Sequence, residues 1–273
     1  MDIYEKTACF YESVKTEKRV IGKSLFGRNI YAVKVGGGSP VGIAQYALHG
    51  REFITAELAF LHFEVGVSCG SVWLVPLANP DGALLSEKGL LSVTNEKQRE
   101  NLLALHNGNT DFSLWKANGR GVDLNVNFDA RWGTGKKNTV LAGAENCIGA
   151  KPFSEPETVA LKNFTEEIHP DYTVSYHTKG EEIYWYFYQS TRTCHRDKAL
   201  AGVISKNTGY PLCYAKGSAG GYKDWCIEKL KIPSFTIEAG NDLLSHPIRD
   251  GREIRLKNEK VLYELAKAVK EVL

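Results

Sequence analysis

The chain has almost no excess charge of either sign: 34 lysines and arginines stand against 32 aspartates and glutamates, a formal net charge of +2 over 273 residues. It therefore lacks the polybasic footprint of a nucleic-acid or anionic-membrane partner, and neither is expected. No stretch approaches the ~20 consecutive apolar residues of a membrane span. The start, Met1-Asp2-Ile3-Tyr4-Glu5-Lys6, holds acidic residues and no apolar run long enough for a signal peptide, so a cytoplasmic location is the expectation. The cysteines, Cys9, Cys69, Cys147, Cys194, Cys213 and Cys226, contain no C-x-x-C pair. A chain of this size needs no disulfide scaffold, and reduced thiols are the plain reading; a Cys194–Cys213 pairing stays open because spacing does not encode connectivity. No repeat occurs at solenoid or propeller periods, and nothing between the motifs reads as a linker, so residues 1–273 are expected to form one domain. What the chain does have is 43% hydrophobic and 11% aromatic residues. That supports a sizeable core and excludes a disordered chain.

Local patterns predict strands alternating with helices. Residues 30 to 35, β-branched and aromatic, read as a strand stopped by Gly36-Gly37-Gly38-Ser39-Pro40. Gly42 to Leu48 reads as a short apolar strand leading into His49, and Ile54, Leu58, Leu61 and Val65 recur at helical spacing behind it, placing a buried helix at or just after Glu52. His62 lies next to that face and reads as a packed or surface histidine. Ser71 to Leu77 is another strand, with turn chemistry in Asn79-Pro80-Asp81-Gly82. Ser154-Glu155-Pro156-Glu157 reads as a capping box for a helix to about His169. Asp171 to His177 and Ser234 to Glu238 are strands ending in chemically loaded residues, and Leu262, Leu265, Val269 and Leu273 form the buried face of a last helix. This alternation implies an α/β domain with a mostly parallel or mixed central sheet.

His49-Gly50-Arg51-Glu52 places a nitrogen and a carboxylate three residues apart, able to meet one zinc ion, with His177 as a third ligand. Two histidines and a glutamate leave a fourth tetrahedral position for water, the layout of a catalytic site, so hydrolysis is the first hypothesis. The pattern alone is short, and a capped helix with two solvated histidines is the competing explanation. Glu238 ends the apolar run Phe235-Thr236-Ile237, where an unpaired carboxylate is costly unless bonded or functional; it is the candidate general base. The alternative is a salt bridge to Lys229 or Arg249. Asp123, in Gly121-Val122-Asp123-Leu124-Asn125, is placed to hold the non-ligating nitrogen of a zinc histidine, or else is a turn aspartate. Ser218 does not complete G-x-S-x-G, because Lys216 stands at the required glycine. Gly133-Thr134-Gly135-Lys136-Lys137 resembles a phosphate loop only loosely.

Taken together, these motifs with Pro152-Phe153-Ser154 and Ser175-Tyr176-His177 resemble, in order and over roughly residues 20 to 250, the zinc carboxypeptidase (M14) family. The resemblance implies a single α/β domain with a mixed sheet of about eight strands between helices, and one zinc ion. It implies His49, Glu52 and His177 as zinc ligands, Arg51 as the arginine that polarises substrate carbonyls, Glu238 as the base, and Asp123 as the acid supporting the first histidine. Family carboxypeptidases follow the residue matched by Asn125 with an arginine that forks onto the substrate's terminal carboxylate. Here Val126 stands instead and cannot make that contact; Lys116, Arg120 or Arg131 are candidates to replace it. The family's substrate-contacting tyrosine corresponds to Tyr214 or Tyr222. The stretch His177 to Trp185 is most similar to bacterial γ-D-glutamyl-diamino-acid endopeptidases within the family, which points to murein peptides, with Lys179 and Glu181 or Glu182 suited to the charged side chain of diaminopimelate unless they are merely a solvated loop. Cleavage of murein-derived peptide is the first functional expectation. A conventional metallocarboxypeptidase is the second, and a non-catalytic peptide-binding module the third.

Overall fold

Runs of β-branched and aromatic residues form eight strands: β1 (Lys18–Lys23), β2 (Asn29–Gly36), β3 (Val41–Tyr46), β4 (Ser71–Val75), β5 (Tyr172–His177), β6 (Glu182–Tyr184), β7 (Leu212–Cys213) and β8 (Ser234–Glu238). In the computed structural model, which describes residues 1–214 and 217–272, they join one sheet in the order β1-β2-β4-β3-β5-β8-β6-β7. The centre, β4-β3-β5-β8, is parallel, as is β6-β7, whereas β1-β2, β2-β4 and β6-β8 are antiparallel. The sheet is thus mixed with a parallel core, as expected. Its central strands are buried on both faces, β5 and β8 carrying the small hydroxyl residues Thr173, Ser175, Ser234 and Thr236 on one of them.

The helices are α1 (Ile3–Ser13), α2 (Ala56–Val65), α3 (Pro80–Lys88), α4 (Glu96–Leu105), α5 (Pro156–Ile168), α6 (Thr191–Thr208), α7 (Tyr222–Trp225), α8 (Arg252–Asn258) and α9 (Val261–Val272). On one face Tyr46, Val174, Tyr176 and Ile237 of the sheet pack with Leu58, Ile204, Leu262 and Leu265. On the other, Ile43 and Trp73 pack with Leu161, Phe164 and Trp225. Register aligns the carboxyl ends of the central strands: Tyr46 pairs with Tyr176, Tyr176 with Ile237, and His177 with Glu238. Open α/β sheets bind ligands at that edge. Among the described residues no helix is long and apolar enough to cross a membrane, and all six cysteines are free thiols, Cys194 and Cys213 included.

Several local expectations are revised. The chain after His49 first makes a 3₁₀ turn, Gly50–Thr55, and α2 starts only at Ala56. Asn79-Pro80-Asp81-Gly82 opens α3 and is not a turn between strands: Asn79 Oδ1 accepts from Gly82 N at 2.9 Å and Pro80 takes the first helical position, where a missing N–H costs nothing. The capping box at 154–157 does not form. Glu155 is the cap residue and makes no side-chain cap bond, Ser154 Oγ donates to Glu155, and the buried Glu157 carboxylate accepts from Leu25 N at 2.8 Å and Asn118 at 3.2 Å. Tertiary donors outcompete the local ones. In α9, Leu262, Leu265 and Val269 are buried as the pattern requires; Leu273 and Lys216 lie outside the described residues.

Candidate metal centre

The sheet edge and one tight turn build the site. β3 ends at Tyr46, Ala47 adopts a positive φ of 50°, and the chain swings so that His49 is extended while Gly50 to Glu52 coil beneath it. Gly50 is obligatory here: a Cβ would stand 2.4 Å from Gly82 O and 2.7 Å from Trp115 O. Thr55 braces the turn, accepting from Ala47 N and donating to Glu52 O, both at 2.9 Å. His177 arrives from the end of β5.

Three donor groups converge in the interior. Glu52 Oε1 lies 2.9 Å from His49 Nδ1, Glu52 Oε2 lies 2.9 Å from His177 Nδ1, and the two Nδ1 atoms are 3.0 Å apart. All three residues are buried, and they form a group that could hold a metal ion. Zinc with bonds of ~2.0–2.1 Å in tetrahedral array requires ligand atoms ~3.3 Å apart, close to this spacing, and a two-nitrogen, one-carboxylate set suits its chemistry. The far side of His49 is oriented too, with Nε2 3.2 Å from Asp123 Oδ1. A proton held there leaves Nδ1 as a lone-pair donor. Asp123 accepts in turn from Asn125 N and Asn146 N, each at 3.1 Å, and pairs with Lys116 Nζ at 3.2 Å. Burial pushes the Asp123 carboxyl up, but Lys116 and His49 outweigh it and hold the group well below the usual range. Glu52 behaves likewise: burial raises it, and His49 with His177 bring it well below the ordinary value.

Glu238, in register beside His177, is different. Burial pushes its carboxyl up to about 7, with His177 and Lys116 only partly opposing. The alternative of a salt bridge to Lys229 is not realised, since Lys229 pairs with Asp129 at 3.4 Å. Glu238 faces a cavity of about 350 Å³ shared with His49, Arg51, Glu52, Lys116 and His246. Arg51 reaches toward Glu145 at 3.6 Å, and its Nε has no partner among the described residues.

The structure sorts the remaining candidates. Lys116, Asn125 and Tyr214 line a second, contiguous cavity of about 530 Å³ that also contains His49 and Asp123. Tyr214 is 54% exposed there. Tyr222 is instead fully buried between Phe128 and Trp225, with its hydroxyl 2.8 Å from Thr165 Oγ1. Arg120 turns away into a separate groove beside Phe26 and Leu105 and approaches Glu155 at 3.5 Å. Arg131 lies over the Tyr188 ring and pairs with Glu228 at 3.1 Å. Lys179 borders the metal cluster, but its ammonium is bound by the carbonyls of Asp242 and Leu244. Glu181 is paired with Lys257 at 2.6 Å, so it and Lys179 do not form one pocket. Sequence reasoning passed over Tyr184, which borders both cavities, and His246, whose Nε2 lies 2.9 Å from Thr178 Oγ1. It also set aside Lys136, Lys137 and Ser218, which line the larger cavity. Tyr184 lies within the stretch His177 to Trp185; for His246 no local signal exists.

The profile of a family described as zinc carboxypeptidase matches residues 69–248. Over 249 residues the chain is 30% identical to γ-D-glutamyl-L-diamino acid endopeptidase 1 of Lysinibacillus sphaericus, a match covering 84% of this chain and 62% of that protein. The chain thus spans about three fifths of the length of the curated relatives it matches. Among solved structures, bovine thrombin-activatable fibrinolysis inhibitor superposes with a TM-score of 0.77 at 19% identity, covering 100% of this chain and 98% of that one. The murein-tripeptide amidase of Escherichia coli O157 gives a TM-score of 0.60 at 21% identity, over 96% and 95% of the two chains. These two share the fold.

Proposed function

The chain belongs to the zinc carboxypeptidase family, and on that premise we propose that it is a zinc metallopeptidase that hydrolyses the bond between γ-D-glutamate and diaminopimelate in murein-derived peptides. The observation that carries the hydrolytic reading is the meeting of His49, Glu52 and His177 at one cavity with Glu238, which has no ion-pair partner among the described residues. The murein assignment is supported by the 30% identical endopeptidase and by the stretch from His177 to Trp185. Six free thiols accord with a reducing compartment, in which such peptides would be met after their release from the wall.

In this reading His49, Glu52 and His177 hold zinc, and Asp123 keeps His49 in the ligating tautomer. Zinc, when bound, supplies Lewis acidity that polarises the scissile carbonyl and acidifies water. Glu238 accepts the water proton and returns it to the leaving amine from its place beside His177 on the cavity wall. Arg51 and Lys116 present fixed positive charge toward the developing oxyanion, so little reorganisation is required when it forms. Asn125 and Tyr214 contact the bound peptide from the wall of the larger cavity.

A conventional metallocarboxypeptidase is the second reading, favoured by Asn125 and Tyr214 standing together on one cleft wall. Liquid chromatography with mass spectrometry on L-Ala-γ-D-Glu-meso-diaminopimelate separates the two. Release of free diaminopimelate is expected; cleavage of ordinary C-terminal residues alone would overturn the murein assignment.

A further inference from the structure

The 530 Å³ cavity has an uneven charge balance. Among its described lining residues the only carboxylate is Asp123, yet Lys116, Lys136 and Lys137 all contribute to its wall. Asp123 is already committed to Lys116 and His49. Lys136 and Lys137 have no acidic partner within ion-pair distance among the described residues, whereas the neighbouring Arg131 is taken by Glu228. The cavity therefore carries two uncompensated cations facing a site whose own positive and negative groups are otherwise matched.

The backbone and stem of Lys136 are held in place by the fold. Lys136 N donates to Gly217 O at 2.9 Å, and the Lys136 stem crosses Gly217 so closely that a Cβ there would meet Cδ at 2.6 Å. Beyond them, Thr139 N donates to Asn146 O at 3.0 Å, and Asn146 N donates to Asp123 at 3.1 Å, tying the segment to the carboxylate that orients His49. The amide Nδ2 of Asn138, on the same wall, is buried without a hydrogen-bond partner among the described residues. A buried donor left unpaired costs stability unless something completes it.

We propose that Lys136 and Lys137, together with the Asn138 amide, form an anion-binding wall that takes a free carboxylate of the bound peptide. This rests on the preceding reading only in treating the cleft as a peptide site. Val126 adds apolar surface alone, and Arg120 and Arg131 point elsewhere. Lysines, unlike an arginine fork, act as mobile point charges and do not demand one carboxylate orientation. The wall therefore selects peptides by the presence of a carboxylate and tolerates differences in its position, which suits a residue bearing two of them.

Calorimetric titration of the zinc-loaded Glu238→Gln protein tests this with two peptides, L-Ala-γ-D-Glu-meso-diaminopimelate and N-acetyl-L-Ala-L-Phe, each with all its carboxylates free and with all of them amidated. For at least one peptide the acid is expected to bind roughly tenfold or more tightly than the amide, the size of a charge-assisted contact. Lys136→Ala/Lys137→Ala should abolish that difference, Lys136→Arg/Lys137→Arg should retain it, and added salt should shrink it. Equal binding of acid and amide by the parent protein, or an undiminished preference in the double alanine variant, overturns the proposal. A lysine-dependent preference for the acetyl dipeptide acid alone upholds the wall while removing the murein assignment.

Discussion

His177 and Glu238 are register partners at the carboxyl ends of adjacent parallel strands, β5 and β8. Their Cα atoms are therefore fixed by backbone hydrogen bonds along the sheet, and a metal donor and a carboxylate stand side by side on the most rigid element of the fold. Glu52, bridging His49 and His177, comes from a turn that only a glycine at position 50 permits.

If Glu238 handles protons, Glu238→Gln removes the base while keeping size and hydrogen bonding. We expect kcat to fall by about 10²–10⁴ with zinc content by elemental analysis unchanged. Activity surviving at a tenth of the parent value would reassign the base.

In the proposed mechanism Asp123 acts through His49. Asp123→Asn should weaken zinc about 10–100-fold, read as loss of metal at lower chelator concentration, and His49→Ala should lose the metal outright. The Asn variant also leaves Lys116 without its counter-ion in a buried setting, so a modest loss of thermal stability is expected alongside. Unaltered metal retention in Asp123→Asn would make the residue a turn aspartate only.

His62 is buried against Tyr46 and the Asn258 carbonyl, with distances of 2.7 and 3.0 Å. Burial pushes its imidazole down to about 4 from an ordinary 6.5. The unfolded chain therefore binds the extra proton first, and the stability due to neutral His62 is complete above pH 6.5 and lost as pH falls from there toward 4. The loss reaches about 3 kcal/mol at the lower end. Urea titrations at pH 7.5 and 4.5 should show His62→Gln with a shallower pH dependence than the parent, whatever its absolute stability; parallel curves would remove the assignment.

Tyr214 and Tyr222 should separate cleanly. Tyr214→Phe, at the cleft, is expected to raise KM several-fold with unfolding unaffected. Tyr222→Phe, which breaks the bond to Thr165 in the core, is expected to cost about 1 kcal/mol of stability with KM unchanged. The reverse pattern would exchange their roles.

Sequence reading reached far for features encoded locally. Apolar runs bounded by glycine, proline and polar clusters located the strands because a period of two and a turn are properties of neighbouring residues. His177 and Glu238 were visible as polar residues closing apolar strands, whereas the strand expected to run from Gly42 to Leu48 ends at Tyr46 and His49 follows it on the turn. Local rules failed where a side chain had a better distant partner, as when Glu157 left the capping box for Leu25 N; at Asn79 two local signals competed, and the helix cap with Pro80 at the first helical position prevailed over the turn.

By itself, then, the sequence determined the α/β alternation, the family pattern and which residues close the central strands, since each depends on spacing along the chain. Only the tertiary structure decided which charges remain available. Glu181 is paired with Lys257, Lys179 with backbone carbonyls and Arg120 with Glu155, while Lys136 and Lys137, on the cleft wall, have no acidic partner among the described residues. Charge pairing depends on distances of a few ångströms between segments far apart in the chain, and packing of those segments fixes them.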